Sequence, residues 1–263
     1  MVGGIRPYFG SKCTLTKEIE KYLPKDIKQR IFLDVFTGGG SVALLGSKHC
    51  KKVYANDIDF NNINYFQHLK DKNFPQYVVE QLKTETKEGL YHKYKELDGT
   101  PTYKNAYNMF CSANIGYGGK SYTTPSKRKL EKLFTKNWDK ILNQKRELIK
   151  NITFFSEDYK DFLRNCSKIK GKKFYYFDPP YCEVTSKTYY GNKGEFHKNF
   201  NHEEFYEMVS KIKRTPLMIS YEDSPYIREL YKDYNLIPII NEKAQFVRGK
   251  VTQKKKELLI TNY

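Results

Sequence analysis

The chain has 263 residues and a formal net charge of +17, with 47 lysines and arginines against 30 aspartates and glutamates. Such a charge favours a polyanionic partner, and aromatic residues, at 16% of the chain, suit stacking on bases beside phosphate contacts; general enrichment in lysine is the plainer source of the same charge. No apolar run is long enough to span a membrane, Met1 to Lys12 lacks the apolar core of a signal peptide, and five scattered cysteines show neither metal spacing nor pairing, so a cytoplasmic protein with reduced thiols and no metal is expected.

In chain order, Ile31-Phe32-Leu33-Asp34-Val35-Phe36 predicts a buried strand. Thr37-Gly38-Gly39-Gly40 predicts a turn, and Ser41 to Lys48 a helix. Val53 to Asp57 predicts a second strand, and Phe60 to Asp71 a second helix. This opening, with its short connections, has the pattern of a Rossmann-like half. From Phe74 to Lys150 no buried-strand run occurs. Tyr77 to Lys87, Tyr103 to Ala113 and Lys127 to Ile149 predict helices there. A glycine-rich stretch, Asn114 to Tyr122, lies between them, and Lys127, Arg128, Lys129 and Lys132 follow it. Residues 74–150 read as an inserted helical domain with a basic, aromatic face. A solvated helical lid is the plainer reading.

Strands resume at Ile152 to Phe155, Phe174 to Phe177, Leu217 to Ser220, Leu236 to Ile240 and Leu258 to Thr261. Helices at Glu157 to Asn165, His202 to Lys213 and Ser224 to Tyr231 separate several of them. The seven strands, the last two joined by a basic connection, predict an α/β fold with a mostly parallel sheet and an antiparallel edge. Residues 1–73 and 151–263 then form one discontinuous domain around the insertion. Cys182 to Asn201 reads as a long loop carrying Lys187, Tyr189 and Tyr190, placed to act as a lid.

Asp178-Pro179-Pro180-Tyr181 follows the apolar run Phe174 to Phe177 directly. Two consecutive prolines cannot continue a ladder, so the strand stops there. An acid, two residues without N–H and an aromatic ring are thereby fixed at a strand's C-terminal end, where open α/β sheets bind ligands. The four suit an exocyclic amine, whose lone pair is delocalised into its ring. The Asp178 carboxylate and the Pro179 carbonyl can each accept one amino hydrogen, favouring a more tetrahedral nitrogen, while Tyr181 stacks on the base. That is orientation and electrostatics without a covalent intermediate. An ordinary Pro-Pro turn is the alternative.

Upstream, the glycines at 38–40 allow close backbone approach to a ligand. Asp57, about 20 residues on, stands where a ribose hydroxyl is held. These features alone also admit a dinucleotide, although Ala43 breaks the usual glycine fingerprint. The amino-group site downstream tips the ligand toward S-adenosylmethionine. Asp158 is a further candidate acid, placed to accept from an adenine amino group, and reads equally as a first-turn helix acid.

Taken in order, Tyr8 to Lys12, Asp34 to Val42, Asn56 to Asp59, Glu157 to Tyr159, Asp178 to Tyr181, Ile219 to Asp223 and Lys256 to Asn262 resemble the Dam-type, or α-class, DNA adenine-N6 methyltransferases. The resemblance covers nearly the whole chain. It implies a Rossmann-like methyltransferase fold, S-adenosylmethionine as cofactor with S-adenosylhomocysteine as product, no metal, and a flipped adenine in double-stranded DNA as target. It implies cofactor contacts at Tyr8, Phe9 and Lys12, at Asp34, Phe36, Gly38 and Gly40, at Asp57 and Ile58, and at Asp158 and Tyr159. It implies catalysis by Asp178, Pro179, Pro180 and Tyr181, and target recognition by the helical block. Candidate DNA contacts are Asn114, Tyr117, Gly118, Lys120 and Tyr122, then Lys127, Arg128 and Lys187. Tyr-Phe-Gly-Ser-Lys here replaces the family's usual Trp-x-Gly-Gly-Lys, and the recognition block matches loosely. GATC is common among such enzymes, but the sequence leaves the target open. It leaves open equally a restriction-nuclease partner, the marking of host DNA, protection of a mobile element, and a monomer or a weak dimer on DNA. Cytosine-N4 or RNA adenine methylation, or an inactive DNA-binding relative, are the alternatives.

Overall fold

A computed structural model describes residues 4–117, 120–122, 125–181, 200–240, 246–247, 250–251 and 256–263. After a short helix α1 (Thr16–Lys21), the chain alternates strand and helix. The order is β1 (Ile31–Asp34), α2 (Ser41–His49), β2 (Val53–Asn56) and α3 (Phe60–Leu69). A wholly helical stretch follows: α4 (Phe74–Thr84), α5 (Lys87–His92), α6 (Tyr103–Ile115), α7 (Lys127–Phe134) and α8 (Trp138–Leu148). The alternation resumes with β3 (Ile152–Phe155), α9 (Tyr159–Ser167), β4 (Lys173–Phe177), α10 (His202–Ser210), β5 (Leu217–Glu222), α11 (Pro225–Leu230) and β6 (Asn235–Ile240). A two-stranded ladder, β7 (Phe246–Val247) with β8 (Lys250–Val251), precedes the last strand, β9 (Lys256–Thr261).

Seven strands form one sheet in the order β3-β2-β1-β4-β5-β9-β6. β3, β2, β1, β4 and β5 are parallel neighbours, and β9 runs antiparallel to both β5 and β6. The reversed strand therefore lies one place in from the edge, rather than at the edge as the sequence suggested. The strand order turns back between β1 and β4, and such a switch point opens a crevice at the carboxyl ends of the strands. Registry aims acids into that crevice. Asp34 pairs with Ala55 on one side and Tyr176 on the other. Asp57 and Asp178 each lie two residues beyond those partners.

Alternation along the strands supplies two apolar faces. Phe32, Val53, Phe174 and Met218 join α2, α3, α4 and α6 in one buried cluster. Leu33, Val35, Tyr175, Phe177, Ile219 and Ile260 join α9, α10 and α11 in the other. The first cluster runs without interruption into the helical block through Phe66, Phe74, Tyr107, Phe110 and Trp138. The block is thus built onto the sheet through a shared core.

Two helix boundaries differ from the sequence expectation for local reasons. The stretch expected as one helix from Lys127 to Ile149 is two, because the Asn137 side chain accepts from the Lys140 amide and caps a new helix. The Trp138 indole N–H donates back to the Leu133 carbonyl at 2.6 Å, locking the corner. α4 begins at Phe74, with Pro75 in its first turn, where a missing N–H costs nothing.

Candidate active site

A cleft of about 310 Å³ opens at the switch point. Its floor is the turn after β1. Gly38 and Gly40 have φ of 47° and 74°, in the left-handed region. A Cβ on Gly38 would come within 2.8 Å of the Tyr8 ring, and one on Gly40 within 2.4 Å of Ile5 Cδ1. Glycine is therefore needed for space as well as for conformation. Gly38 lines the cleft. Gly40 begins α2 behind it.

Two acids on this side have no cation in hydrogen-bond contact among the described residues. Asp34 is buried; Thr37 Oγ1 donates to its Oδ2 at 2.9 Å, while its Oδ1 has no hydrogen-bond partner. Burial, reinforced by the Asp178 and Asp57 charges, pushes Asp34 up to about 8. The Asp57 carboxylate accepts from the Gly38 amide at 2.7 Å and the Asp59 amide at 3.0 Å. Burial raises it too, with the Asp59 charge adding to the rise; the two amides hold the value to about 6. Asn56 ties the ends of three strands together, donating to the carbonyls of Val35 and Glu157 and accepting from the Glu157 amide.

The cleft's apolar wall is aromatic. Phe36 and Tyr159 lie 5.5 Å apart, and Phe200 sits 5.8 and 5.6 Å from them. Ile58, half exposed, stands on the rim. Asp158 also lines the cleft while capping α9 through the Lys160 amide. Lys160 and Glu204 close the outer rim as an ion pair.

At the other end lies Asp178. Lys12 Nζ donates to both of its oxygens, at 2.6 and 2.8 Å, and Ser220 Oγ donates to Oδ1 at 3.1 Å. The Tyr176 hydroxyl completes the chain at 2.8 Å from Ser220 Oγ. Burial raises Asp178 above the usual carboxylate value; the Lys12 ammonium and the Ser220 hydrogen bond oppose that rise without cancelling it, and the Glu257 charge adds to it. The Asp178 and Glu257 charges and the Asp178 hydrogen bond together raise Lys12 above its usual value, against the burial that lowers it. Lys12 is buried and Asp178 half-buried at the cleft, so the ion pair is shielded from most of the solvent. Pro180 reaches the cleft, whereas Pro179 and Tyr181 do not line it. Tyr181 is only 9% exposed; its hydroxyl donates to Glu257 Oε2, and Lys12 Nζ lies 4.8 Å from its ring centroid.

Of the cofactor candidates, Tyr8, Lys12, Asp34, Phe36, Gly38, Asp57, Ile58, Asp158 and Tyr159 all meet at this one cleft. Lys12 meets it through the Asp178 carboxylate. Phe9 does not line the cleft; Lys120 Nζ lies 4.8 Å from its ring centroid. The DNA candidates are more dispersed. Tyr117 is 74% exposed, and Lys127 and Arg128 are exposed at the start of α7. Asn114 bonds back to the Phe110 carbonyl. The Tyr122 hydroxyl is committed to Asp59 Oδ1 at 2.8 Å and to Asn61. Gly118 and Lys187, like Cys182, lie outside the described residues. Three polar residues had no assigned role. Ser220 and Glu257 are polar residues inside otherwise apolar strands, which is itself a signal. Asn62 donates to the Gly38 carbonyl and accepts from Arg6, but nothing in its spacing marks it.

The D12 class of N6 adenine-specific DNA methyltransferases matches residues 8–246. The chain belongs to this family. A Type II methyltransferase, M1.LlaDCHI of Lactococcus lactis subsp. cremoris, is 26% identical over 98% of this chain and 96% of its own length. Among solved structures, an rRNA methylase from Streptococcus thermophilus aligns over 94% of this chain and 92% of its own, at 10% identity and a TM-score of 0.32. Family and curated relative together make this chain a site-specific DNA methyltransferase acting on the N6 of adenine.

Proposed function

We propose that the cleft holds S-adenosylmethionine beside the amino nitrogen of an adenine flipped out of duplex DNA. The observation that supports this best is the unpartnered buried oxygen of Asp34, set in one cleft with Asp57 and Asp178. A buried acid lacking a cation fits an ammonium ligand. Asp57 fits a ribose hydroxyl, and the Phe36, Tyr159 and Ile58 wall fits an adenine ring. When bound, the cofactor supplies an electrophilic methyl group on a sulfonium sulfur.

The chain's own residues then prepare the nucleophile. Lys12 and Ser220 orient the Asp178 carboxylate and favour its ionised form against the burial that opposes it. Asp178 and the Pro179 carbonyl accept the two amino hydrogens, drawing the nitrogen toward tetrahedral geometry. The new N–C bond would form as the sulfonium S–CH3 bond breaks, with S-adenosylhomocysteine as the leaving thioether, and the proton that the nitrogen must then shed would pass to the Asp178 carboxylate. The helical block, residues 74–150, provides the target-recognition surface, with Tyr117, Lys127 and Arg128 facing outward and phosphate contacts supplied by its basic residues. The likeness to a Type II methyltransferase supports a role beside a restriction nuclease.

The test is transfer of labelled methyl from S-adenosylmethionine to unmethylated duplex DNA, with nucleoside analysis of the product. Wild-type enzyme is expected to yield N6-methyladenine. Asp178→Ala is expected to bind cofactor and lose turnover by about a thousandfold or more. Turnover by Asp178→Ala near the wild-type rate would end the proposed chemistry.

A further inference from the structure

Glu257 lies on the last strand, beyond the residues matched by the family, and is buried. Its carboxylate reaches the Asp-Pro-Pro-Tyr segment by accepting the Tyr181 phenol hydrogen, and its charge acts on both Lys12 and Asp178. The strand registry explains how. β9 is inserted antiparallel beside β5, with Glu257 opposite Glu222 at the same carboxyl end of the sheet that carries Asp178. The motif is thus fixed at two points by two side chains from the ends of the chain. Lys12 grips its acid, and Glu257 grips its aromatic ring. Lys12 Nζ also sits against the face of Tyr181, and Tyr221 packs 6.0 Å from the ring.

We propose that Glu257 is a positioning residue for the methyl transfer, setting the ring plane of Tyr181 through its phenol so that the ring meets the flipped base at the right angle. This rests on the reading of Asp178 to Tyr181 as the reacting site. Tyr181 follows two prolines at the end of β4, and a small rotation of a stacking ring displaces the base relative to Asp178. A hydrogen bond from a phenol to a buried carboxylate is strong enough to fix that angle. The hydroxyl of Tyr181 therefore serves its own ring's orientation and makes no contact with the base.

The test is a double-mutant cycle in methyl transfer to unmethylated duplex DNA, read as kcat, with cofactor affinity measured alongside. Glu257→Gln keeps the shape but weakens the acceptor, and is expected to lower kcat about tenfold. Tyr181→Phe keeps the ring but removes the phenol, with about the same expected loss. Combined with Tyr181→Phe, Glu257→Gln is expected to add less than about a twofold loss, because the contact is already gone. Cofactor affinity stays within about threefold throughout. Equal effects of Glu257→Gln in the two backgrounds overturn the proposal. So does a wild-type kcat in Tyr181→Phe alone, which leaves Glu257 untouched and decides the matter even if Glu257→Gln fails to fold. Asp178→Ala run in parallel separates the two levels: high activity there removes the site reading itself, whereas an inactive Asp178→Ala with additive Glu257 and Tyr181 effects removes only the positioning role.

Discussion

The two ends of the cleft treat their buried acids in opposite ways. At the β1–β2 end, Asp34 and Asp57 are held by a hydroxyl and by backbone amides, with no cation in contact among the described residues. At the β4–β5–β9 end, Asp178 is bridged through both oxygens by Lys12, with Glu257 contributing to the same field. Burial raises all three aspartates, but only Asp178 has an adjacent ammonium to oppose it. An acid left without a cation is unfinished without a ligand, and binding a cationic one satisfies it. An acid already paired is set for a neutral ligand, which needs a fixed anion to accept its hydrogens. The difference matches a charged cofactor at one end and an uncharged amine at the other.

Removing Lys12 should break this comparison most severely. Lys12→Met leaves Asp178 beside Glu257 and Asp34 with only the Ser220 hydrogen bond to oppose desolvation, so its pKa rises further. Turnover depends on ionised Asp178, so the acid limb of the kcat–pH profile should move to higher pH. At neutral pH the loss should be about a hundredfold, partly recovered as pH increases. A uniform loss at every pH, with the limb unmoved, would mean that Lys12 serves the cofactor alone.

How much of this was legible in the sequence differs between the same two ends. Strands β1, β2 and β4 show as continuous apolar runs because both faces of a parallel sheet are covered. The glycine turn shows because Gly38 and Gly40 sit where any side chain would strike Tyr8 or Ile5. Asp34 and Asp57 follow from their position at those strand ends. The partnership of Lys12 with Asp178 spans 166 residues and exists only once the sheet has closed. That of Tyr181 with Glu257 spans 76 and depends on β9 inserting between β5 and β6. Periodicity reports which face a residue takes, and it carries no information on which distant strand will lie alongside. The break at Asn137 was hidden for a related reason: Trp138 keeps the apolar spacing of a helix while its indole turns the chain.

A smaller effect sharpens the other end. Asp34 is raised from 3.8 to about 8, so the folded, ligand-free protein prefers it protonated. An acid with a raised folded pKa costs stability as pH climbs from about 4 to about 8, the reverse of a salt-bridged carboxylate. Asp34→Asn should therefore raise the thermal midpoint of the ligand-free protein at pH 8 while weakening cofactor binding about thirtyfold. Wild-type protein at pH 7 should release a proton on binding S-adenosylhomocysteine, which also carries an ammonium. Calorimetry in buffers of different ionisation enthalpy measures that proton, and Asp34→Asn should abolish most of it. If the variant is less stable at pH 8, the Asp34 carboxylate is not strained in the free protein.

The smallest effect concerns Asp57, where two amides stand in for a cation in direct contact. Its value of about 6 lies below that of Asp34 because the Asp59 and Gly38 N–H groups, with the more distant Arg6 charge, favour the ionised form. Ribose hydroxyls donate best to a carboxylate, so cofactor affinity should fall as pH drops through 6, by roughly fivefold at pH 5. The step should persist in Asp34→Asn, because the hydroxyls and the ammonium are held by different acids. Adding Asp57→Asn should flatten it, at the cost of weaker binding at every pH. A binding curve already flat between pH 5 and 7 in Asp34→Asn would show that the amides alone keep Asp57 ionised. The two ends of the cleft would then differ less than their pairing suggests, with backbone N–H groups doing for Asp57 what Lys12 does for Asp178.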